Sequence, residues 1–170
     1  IVERYVRATG LPPMMPESAM GFWQSKLRYR TQEELLGVAR EYRRRGLPLS
    51  VIVIDFYHWT KFGDWKFDPA YWPDPVGMVR ELRDMGVEAA VSVWPSVEVS
   101  SENFAEMLDR GYLVQVDTGV RLSMRSADWT IFFDATNPQA RQYVWEKCKK
   151  SYYDAGIRYL WLDAAEPQYP

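Results

Sequence analysis

The chain has 170 residues, 47% of them hydrophobic, which is typical of one folded domain rather than of a disordered segment. Its formal net charge of −2 gives no electrostatic basis for binding nucleic acid or an anionic membrane. Because Cys148 and His58 are the single cysteine and histidine, an intrachain disulfide is excluded, and histidine-ligated zinc and histidine-based catalysis are both disfavoured. Acid–base chemistry would therefore depend on carboxylates.

Targeting and membrane signals are not evident in the sequence. No stretch approaches the roughly 20 apolar residues of a membrane span, and the first residues, "IVERYVRATG", lack the charged start and apolar block of a secretory signal. We therefore expect a soluble protein without a membrane or nucleic-acid partner, and the sequence leaves its compartment open. Because the chain does not begin with Met, we also expect it to be part of a longer protein.

A unit of helix, glycine and apolar strand recurs along the chain. In its first copy, "TQEELLGVAREYRRRGLPLSVIVIDF", Thr31 predicts a helix N-cap, Glu34 closes a capping box and Gly46 ends the helix. The strand that follows is apolar without alternation, as in a strand covered on both faces. Two further copies start at Asp74 and Asn137, each followed by a proline at the first helical position.

Alternating helices and strands predict a parallel α/β sheet with right-handed crossovers. A flavodoxin-like sheet and part of a (β/α)8 barrel both fit this pattern. A complete barrel typically needs ~250 residues, so four strands would be about half of one. The core strands are predicted near residues 20–25, 50–56, 88–94 and 158–163.

The segment 100–136 is less regular than the rest. "SSENFAEMLDRG" predicts a short helix, and "YLVQVDTGVRLSM" predicts two short strands around "DTG". "SADWTIFFDATNP" then leads into the last helix. Since no linker or low-complexity stretch interrupts the chain, residues 1–170 are expected to form a single region.

Carboxylates and aromatic residues stand where the predicted strands end. Asp55 ends the second strand, Trp94 the third, and Asp163 with Glu166 the fourth. Ligands bind at the carboxyl ends of strands in both candidate architectures, and we expect Asp55 and Asp163 to converge at the rim of neighbouring parallel strands. One aspartate alone equally fits helix capping. Two of them, in a chain nearly without histidine, favour glycosidic chemistry, where one carboxylate attacks or stabilises the anomeric centre and another acid protonates the leaving oxygen.

The motifs in this order resemble one enzyme family. "IDFYHWTKFGDWKFDPAYWPDPVGMVRELRDMG" closely resembles the barrel of glycoside hydrolase family 31, the α-glucosidase and α-xylosidase family, and "DATNPQAR" and "WLDAAEP" follow as further matching pieces. "GFWQSKLRYRTQEEL" is similar to the first strand and helix of the xylosidase-like branch. The resemblance spans nearly the whole chain. It implies a (β/α)8 TIM-barrel fragment, roughly the first four β/α units of the catalytic barrel.

The resemblance also implies roles for the residues at the strand ends. It makes Asp163 the nucleophile of a retaining α-glycosidase, Glu166 a hydrogen-bonding support of that site, and Asp55 a ligand of sugar hydroxyls. It implies no cofactor and no metal. Four aromatic residues would wall the sugar site or line its mouth: Phe56, Trp161, Trp94 and Trp129. The first two also fit packing in the barrel core. The aromatic content of 15% fits a sugar site and an aromatic core equally well.

Other polar residues nearby have simpler interpretations. His58 fits either a substrate contact or a structural hydrogen bond. Asp64, Asp68 and Asp74 are expected to organise loops or cap a helix, and "DATN", which begins at Asp134, is expected to organise the start of the last helix.

The general acid/base of the resembling family is an aspartate later than the nucleophile, and residues 164–170 offer no second candidate besides Glu166. We therefore expect little activity from this chain alone, with an oligosaccharide or glycoside substrate and the remainder of the barrel as partners, and self-association if the chain is isolated. A non-catalytic carbohydrate-binding or scaffold fragment is the main alternative. A small doubly wound domain that binds a divalent cation through Asp55, Asp163 and Glu166 is a third.

Overall fold

The structure is a computed structural model that describes residues 1–115 and 130–166. Its strands form a four-stranded parallel sheet, in the order β1–β2–β3–β6, and a separate two-stranded antiparallel sheet, β4–β5. In chain order the α-helices and strands are α1 (Val2–Thr9), β1 (Trp23–Gln24), α2 (Gln32–Arg44), β2 (Val51–Ile54), α3 (Pro75–Asp84), β3 (Glu88–Val93), β4 (Ser96–Glu98), α4 (Phe104–Asp109), β5 (Thr130–Phe132), α5 (Pro138–Cys148) and β6 (Tyr159–Leu162). A short 3₁₀ helix (Glu17–Met20) precedes β1, and a π-helical turn (Lys149–Tyr153) follows α5.

The strand order distinguishes between the two predicted architectures. A doubly wound sheet reverses its strand order at a switch point and carries helices on both faces, whereas here the parallel strands follow one another in chain order. Ile52, Ile54 and Val91 pack on one face into the main core with the helices, while Val51 and Val53 belong to a small separate cluster on the other. The sheet is therefore an arc of a (β/α)8 barrel, which confirms the predicted fold class.

The helices begin where the sequence places their caps. The hydroxyl of Thr31 accepts the backbone N–H of Glu34 at 3.1 Å, and the Glu34 carboxylate accepts the N–H of Arg30 at 2.7 Å. Asp74 and Asn137 cap α3 and α5 in the same manner, each with a proline as the first helical residue. These bonds satisfy donors that an α-helix leaves without internal partners, so the predicted helix starts are confirmed.

The segment between β3 and α5 differs from its prediction. The short helix is present as α4, but the sheet of β4 and β5, in which Ser96 pairs with Phe132, was not predicted. Each of these strands has only three residues, too few for a periodic pattern to show. The two strands predicted around "DTG" fall mostly on residues 116–129, which lie outside the described residues, as does Trp129.

The helices of the described ranges are short. α2, with 13 residues, is well below the roughly 20 residues of a membrane span. α1, which the sequence analysis did not predict, has 8 residues and buries none of them. No helix in residues 1–115 or 130–166 is long and apolar enough to cross a bilayer.

The long segment after β2 is fastened to the two-stranded sheet. The backbone of Phe62 exchanges bonds with Glu98: its carbonyl accepts the Glu98 N–H at 3.0 Å, and its own N–H donates to the Glu98 carboxylate at 3.3 Å. The buried Asp64 carboxylate accepts the hydroxyl of Ser101 at 2.8 Å and the N–H of Glu102 at 3.1 Å. Asp64 therefore has the loop-organising role that the sequence predicted.

We expect Gly63→Ala to destabilise the 170-residue chain more than Gly46→Ala. Both glycines have positive φ, 87° and 66°, so alanine at either position adds about 1 kcal/mol of backbone strain. A Cβ at Gly63 would also lie 2.7 Å from Cγ1 and 2.9 Å from Cα of Val97, whereas Gly46 has open space around it. Overpacking should add about 1–3 kcal/mol at Gly63 alone.

Urea unfolding of the two variants measures the difference between these costs. Gly46→Ala is the matched control because it introduces the same strain without the clash. Equal losses of unfolding free energy in both variants would show that the segment after β2 does not press against β4.

Candidate active site

The predicted rim residues lie at or just beyond the ends of the parallel strands. Ser92 on β3 pairs with Trp161 on β6, and the N–H of Asp163 continues the ladder with a 3.1 Å bond to the carbonyl of Val93. Side chains of a strand point alternately to its two faces, so Trp161 shares with Ser92 the face opposite the helices, while Asp163, just beyond β6, lines a cavity beside α5 together with Val144 and Leu162. The same alternation predicts the inner face of the arc for Asp55 and Trp94, which follow the last residues of β2 and β3.

Asp55 and Asp163 are not on neighbouring strands, which corrects one expectation. β3 lies between β2 and β6, so their strands are about 10 Å apart at the usual spacing of parallel strands. Ile54 is level with Val91 and Leu162 with Val93, which places Asp163 two residues further along the barrel axis than Asp55.

His58 holds the backbone at Asp55. Its Nδ1 lies 2.9 Å from the Asp55 carbonyl and its Nε2 lies 2.9 Å from the hydroxyl of Tyr152. A carbonyl can only accept, so Nδ1 carries the proton and Nε2 accepts the proton of Tyr152. Burial lowers the pKa of His58 to about 4, although the bond to the Asp55 carbonyl opposes the shift. Of the two predicted alternatives, the structure therefore places His58 in a structural hydrogen bond.

Aromatic rings pack around the end of β2. Phe56 stacks on Trp94 with centroids 5.4 Å apart and planes 15° apart, and Trp94 also stacks on Phe62 at 5.7 Å. The indole N–H of Trp94 donates to the hydroxyl of Ser92 at 3.1 Å. Phe56 and Trp94 are both half-buried, so each packs against its neighbours and still presents part of its ring at the rim.

The end of β6 is more open. The side chain of Trp161 is 49% exposed, Asp163 is half-buried and Glu166 is exposed. Ala164 has φ 51°, a left-handed conformation that costs a non-glycine residue energy and recurs at functional sites. Within residues 1–115 and 130–166, neither carboxylate of this segment makes a side-chain hydrogen bond or ion pair, so the supporting role of Glu166 stays a prediction.

The metal alternative has no ligand cluster in the described part of the chain. Among those residues, no three histidine, cysteine, aspartate or glutamate side chains lie close enough together to hold a metal ion. The cation site proposed for Asp55, Asp163 and Glu166 required such a group, so the arrangement does not support it.

Comparison with known proteins identifies the fold and family. The glycosyl hydrolases family 31 TIM-barrel domain matches residues 12–170. The chain belongs to glycoside hydrolase family 31. Its family 31 relatives include an uncharacterized family 31 glucosidase of Pseudescherichia vulneris, 57% identical over 99% of this chain, and α-xylosidase A of Aspergillus niger, 37% identical over 96%. The crystal structure of a family 31 α-xylosidase from a soil metagenome, complexed with xylose, superposes with a TM-score of 0.92 at 57% identity over 97% of this chain.

The family 31 relatives are much longer than this chain. It spans 32% of the bacterial glucosidase, 23% of the fungal α-xylosidase and 24% of the crystallised α-xylosidase chain. This agrees with an arc of four strands, since a complete barrel has eight.

We expect acidification to destabilise the 170-residue chain through His58. The folded-state pKa of about 4 lies below the ordinary value of 6.5, so between these pH values the unfolded chain binds a proton that the folded chain does not. The stabilisation is therefore complete above about pH 6.5 and is lost as the pH falls toward 4. Between pH 7.5 and 5 the unfolding free energy should decrease by about 2 kcal/mol, as measured by urea unfolding.

The control for this prediction is His58→Gln, which removes the only histidine of the chain. The variant should be less stable at neutral pH but should lose much less stability between pH 7.5 and 5. Carboxylates titrate mostly below this range. Parallel pH profiles for the variant and the parent chain would contradict the assignment of a buried neutral imidazole.

Proposed function

We propose that the protein carrying this chain is a retaining α-glycosidase, of α-xylosidase or α-glucosidase type, that hydrolyses terminal α-linked sugars. The observation that carries the proposal is that Asp55 and Asp163 directly follow β2 and β6, at the carboxyl ends of strands of the parallel arc. Family membership and the likeness to an α-xylosidase complexed with xylose support the same conclusion.

In the proposed reaction a carboxylate oxygen of Asp163 attacks the anomeric carbon. The bond between that carbon and the leaving oxygen breaks, its electron pair stays on the leaving oxygen, and a general acid gives this oxygen a proton. Water then attacks the anomeric carbon of the glycosyl ester. The acid, now a base, takes a proton from the water, and the Asp163 carboxylate leaves unchanged, so the stereochemistry is retained over two displacements.

The other predicted residues would hold the sugar. Asp55, two strands away from the nucleophile, would accept hydrogen bonds from hydroxyls on the far side of the ring. The stacked rings of Phe56 and Trp94 and the exposed ring of Trp161 would contact its apolar faces. Glu166 would support Asp163 by hydrogen bonding once the site is complete.

The general acid/base would come from a later part of the barrel. The two carboxyl groups of a retaining enzyme stand about 5–5.5 Å apart, and the backbones of Asp55 and Asp163 are separated by two strand spacings, about 10 Å. Asp55 is therefore poorly placed to be the second group. The family resemblance instead puts an aspartate at the end of a later strand.

Two apolar surfaces support this larger assembly. On the helix-free face, a cavity of about 460 Å³ is lined by residues that include Trp23, Ala90 and Tyr159. Beside α5 and β6, a second cavity of about 390 Å³ is lined by residues that include Leu162, which is 76% exposed. We propose that residues 1–170 form one half-barrel, that the remaining strands and helices cover both surfaces, and that the isolated chain covers them by self-association.

We expect Asp163→Asn in the complete enzyme to reduce kcat on aryl α-xylosides and α-glucosides by about 10⁴-fold or more, because the covalent step is lost. A fluorinated glycosyl inactivator should attach to Asp163 in the unmodified enzyme, as located by mass spectrometry of its peptides. Asp84→Asn, at the exposed end of α3, is the matched control and should keep full activity.

Labelling also tests the binding-only alternative. A carbohydrate-binding protein without turnover would bind the inactivator but form no ester. Attachment to a different carboxylate, or full activity of Asp163→Asn, would contradict the proposed nucleophile.

The 170-residue chain by itself should show no measurable turnover of the same aryl α-glycosides, because it would lack the acid/base. Its rate should equal that of its own Asp163→Asn variant. Turnover by the isolated chain that Asp163→Asn abolishes would contradict this prediction and would require an acid/base within residues 1–170.

A further inference from the structure

His58 and Tyr152 form a buried hydrogen-bonded pair next to a residue of the candidate site. They are 94 positions apart in the chain, and both side chains are buried. The Tyr152 hydroxyl donates to Nε2 of His58 at 2.9 Å, and Nδ1 donates to the carbonyl of Asp55 at 2.9 Å. Two hydrogen bonds in series therefore connect the residue after β2 to the π-helical turn that follows α5.

The turn from Asp55 to His58 is closed by a side chain. In a common β-turn, the carbonyl of the first residue accepts the backbone N–H of the fourth. Here the ring N–H of the fourth residue, His58, bonds to the carbonyl of the first. Between them Tyr57 has φ 57°, a left-handed conformation that persists in a non-glycine residue only where the surroundings hold it. The backbone after Asp55 thus depends on the imidazole for its conformation.

The same turn orients the carboxylate of Asp55. One carboxylate oxygen accepts the N–H of Phe56 at 2.8 Å, and this is the only hydrogen bond of that side chain within the described residues. The Phe56 N–H and the Asp55 carbonyl belong to one planar peptide unit, so His58 fixes the plane from the carbonyl side. If the carbonyl were released, rotation of this plane would turn the N–H and the carboxylate bonded to it.

The two side chains have little room to adjust. The backbone carbonyl of His58 accepts the N–H of Asp68 at 2.7 Å, and its ring lies 4.7 Å from that of Trp59 and 5.2 Å from that of Phe67, between centroids. The ring of Tyr152 also packs against Phe67, at 5.2 Å. Because a buried acceptor without a partner is costly, loss of the Tyr152 hydroxyl would favour movement of the imidazole away from this arrangement.

We propose that His58 and Tyr152 are positioning residues for the Asp55 carboxylate in the complete enzyme. The inference rests on the proposed function, in which Asp55 binds hydroxyls of the sugar. Neither residue touches the substrate: both hold the peptide plane that orients the carboxylate, so that it meets the same hydroxyl in every turnover. A misplacement of about 1 Å, even when it originates away from the reacting atoms, can reduce the rate by about 10²-fold.

The first test compares two substitutions of His58 in the complete enzyme. His58→Asn keeps a side-chain N–H near the place of Nδ1, whereas His58→Leu removes every donor. His58→Leu should lower kcat/KM for aryl α-xylosides and α-glucosides about 100-fold, and His58→Asn should recover at least tenfold of that loss. Equal losses in the two variants would contradict a role for the bond to the Asp55 carbonyl.

The second test is a double-mutant cycle that uses Tyr152→Phe, which removes only a hydroxyl. In the unmodified enzyme this substitution should lower kcat/KM about tenfold. In the Asp55→Asn background it should lower kcat/KM less than twofold, because a positioning residue acts only through the group that it positions. A general loss of stability would lower both values by the same factor.

Tyr143→Phe is the matched control, since Tyr143 is a buried tyrosine of α5 whose hydroxyl lies 3.0 Å from Asn103 and 2.8 Å from Glu106. It should leave kcat/KM unchanged. If the complete enzyme hydrolyses the glycosides but Tyr152→Phe acts equally in both backgrounds, or no more than Tyr143→Phe, the inference is wrong and the proposed function stands. If the complete enzyme hydrolyses neither glycoside, the proposed function fails and this inference fails with it.

Discussion

The parallel register of β2, β3 and β6 is the constraint on which the candidate site depends. Val51 and Val53 lie on the inner face and Ile52 and Ile54 pack with the helices, so the strand's period of two predicts that Asp55, the next residue, emerges inside. A slip of one residue would bury that carboxylate among apolar side chains, which is why the helix-facing core fixes the register strongly. The same packing that stabilises the fold therefore fixes the positions of the strand-end residues of the proposed site.

A second constraint fixes the segment that follows Asp55. His58 connects the Asp55 carbonyl to Tyr152, just beyond α5, while Asp64 and Gly63 hold the segment against β4 and the turn after it. These contacts join residues up to 94 positions apart, so the rim rests on several elements of the fold rather than on a free loop. Sites supported in this way keep their geometry better than sites on unsupported loops.

Local signals predicted most of the fold. Thr31, Asp74 and Asn137 act on neighbours within three residues, so each helix start could be predicted from a few letters of sequence. The role of His58 could not, because it depends on Tyr152, which no local pattern connects to it. The position of β3 between the strands that precede Asp55 and Asp163 could not be predicted either, because it depends on the order of the strands in the sheet. β4 and β5 are too short to show a periodic sequence pattern. The strand-end carboxylates were identified by their position, and the family resemblance supplied their proposed roles.

The distribution of satisfied and unsatisfied polar groups separates structure from candidate function. Asp64 and Glu98 are buried, and each carboxylate accepts several hydrogen bonds, as a stable interior requires. At the end of β6 the pattern differs: within the described residues, the carboxylates of Asp163 and Glu166 have no hydrogen-bond or ion-pair partner. Under the proposed function, hydroxyl groups of the sugar would supply partners to these carboxylates.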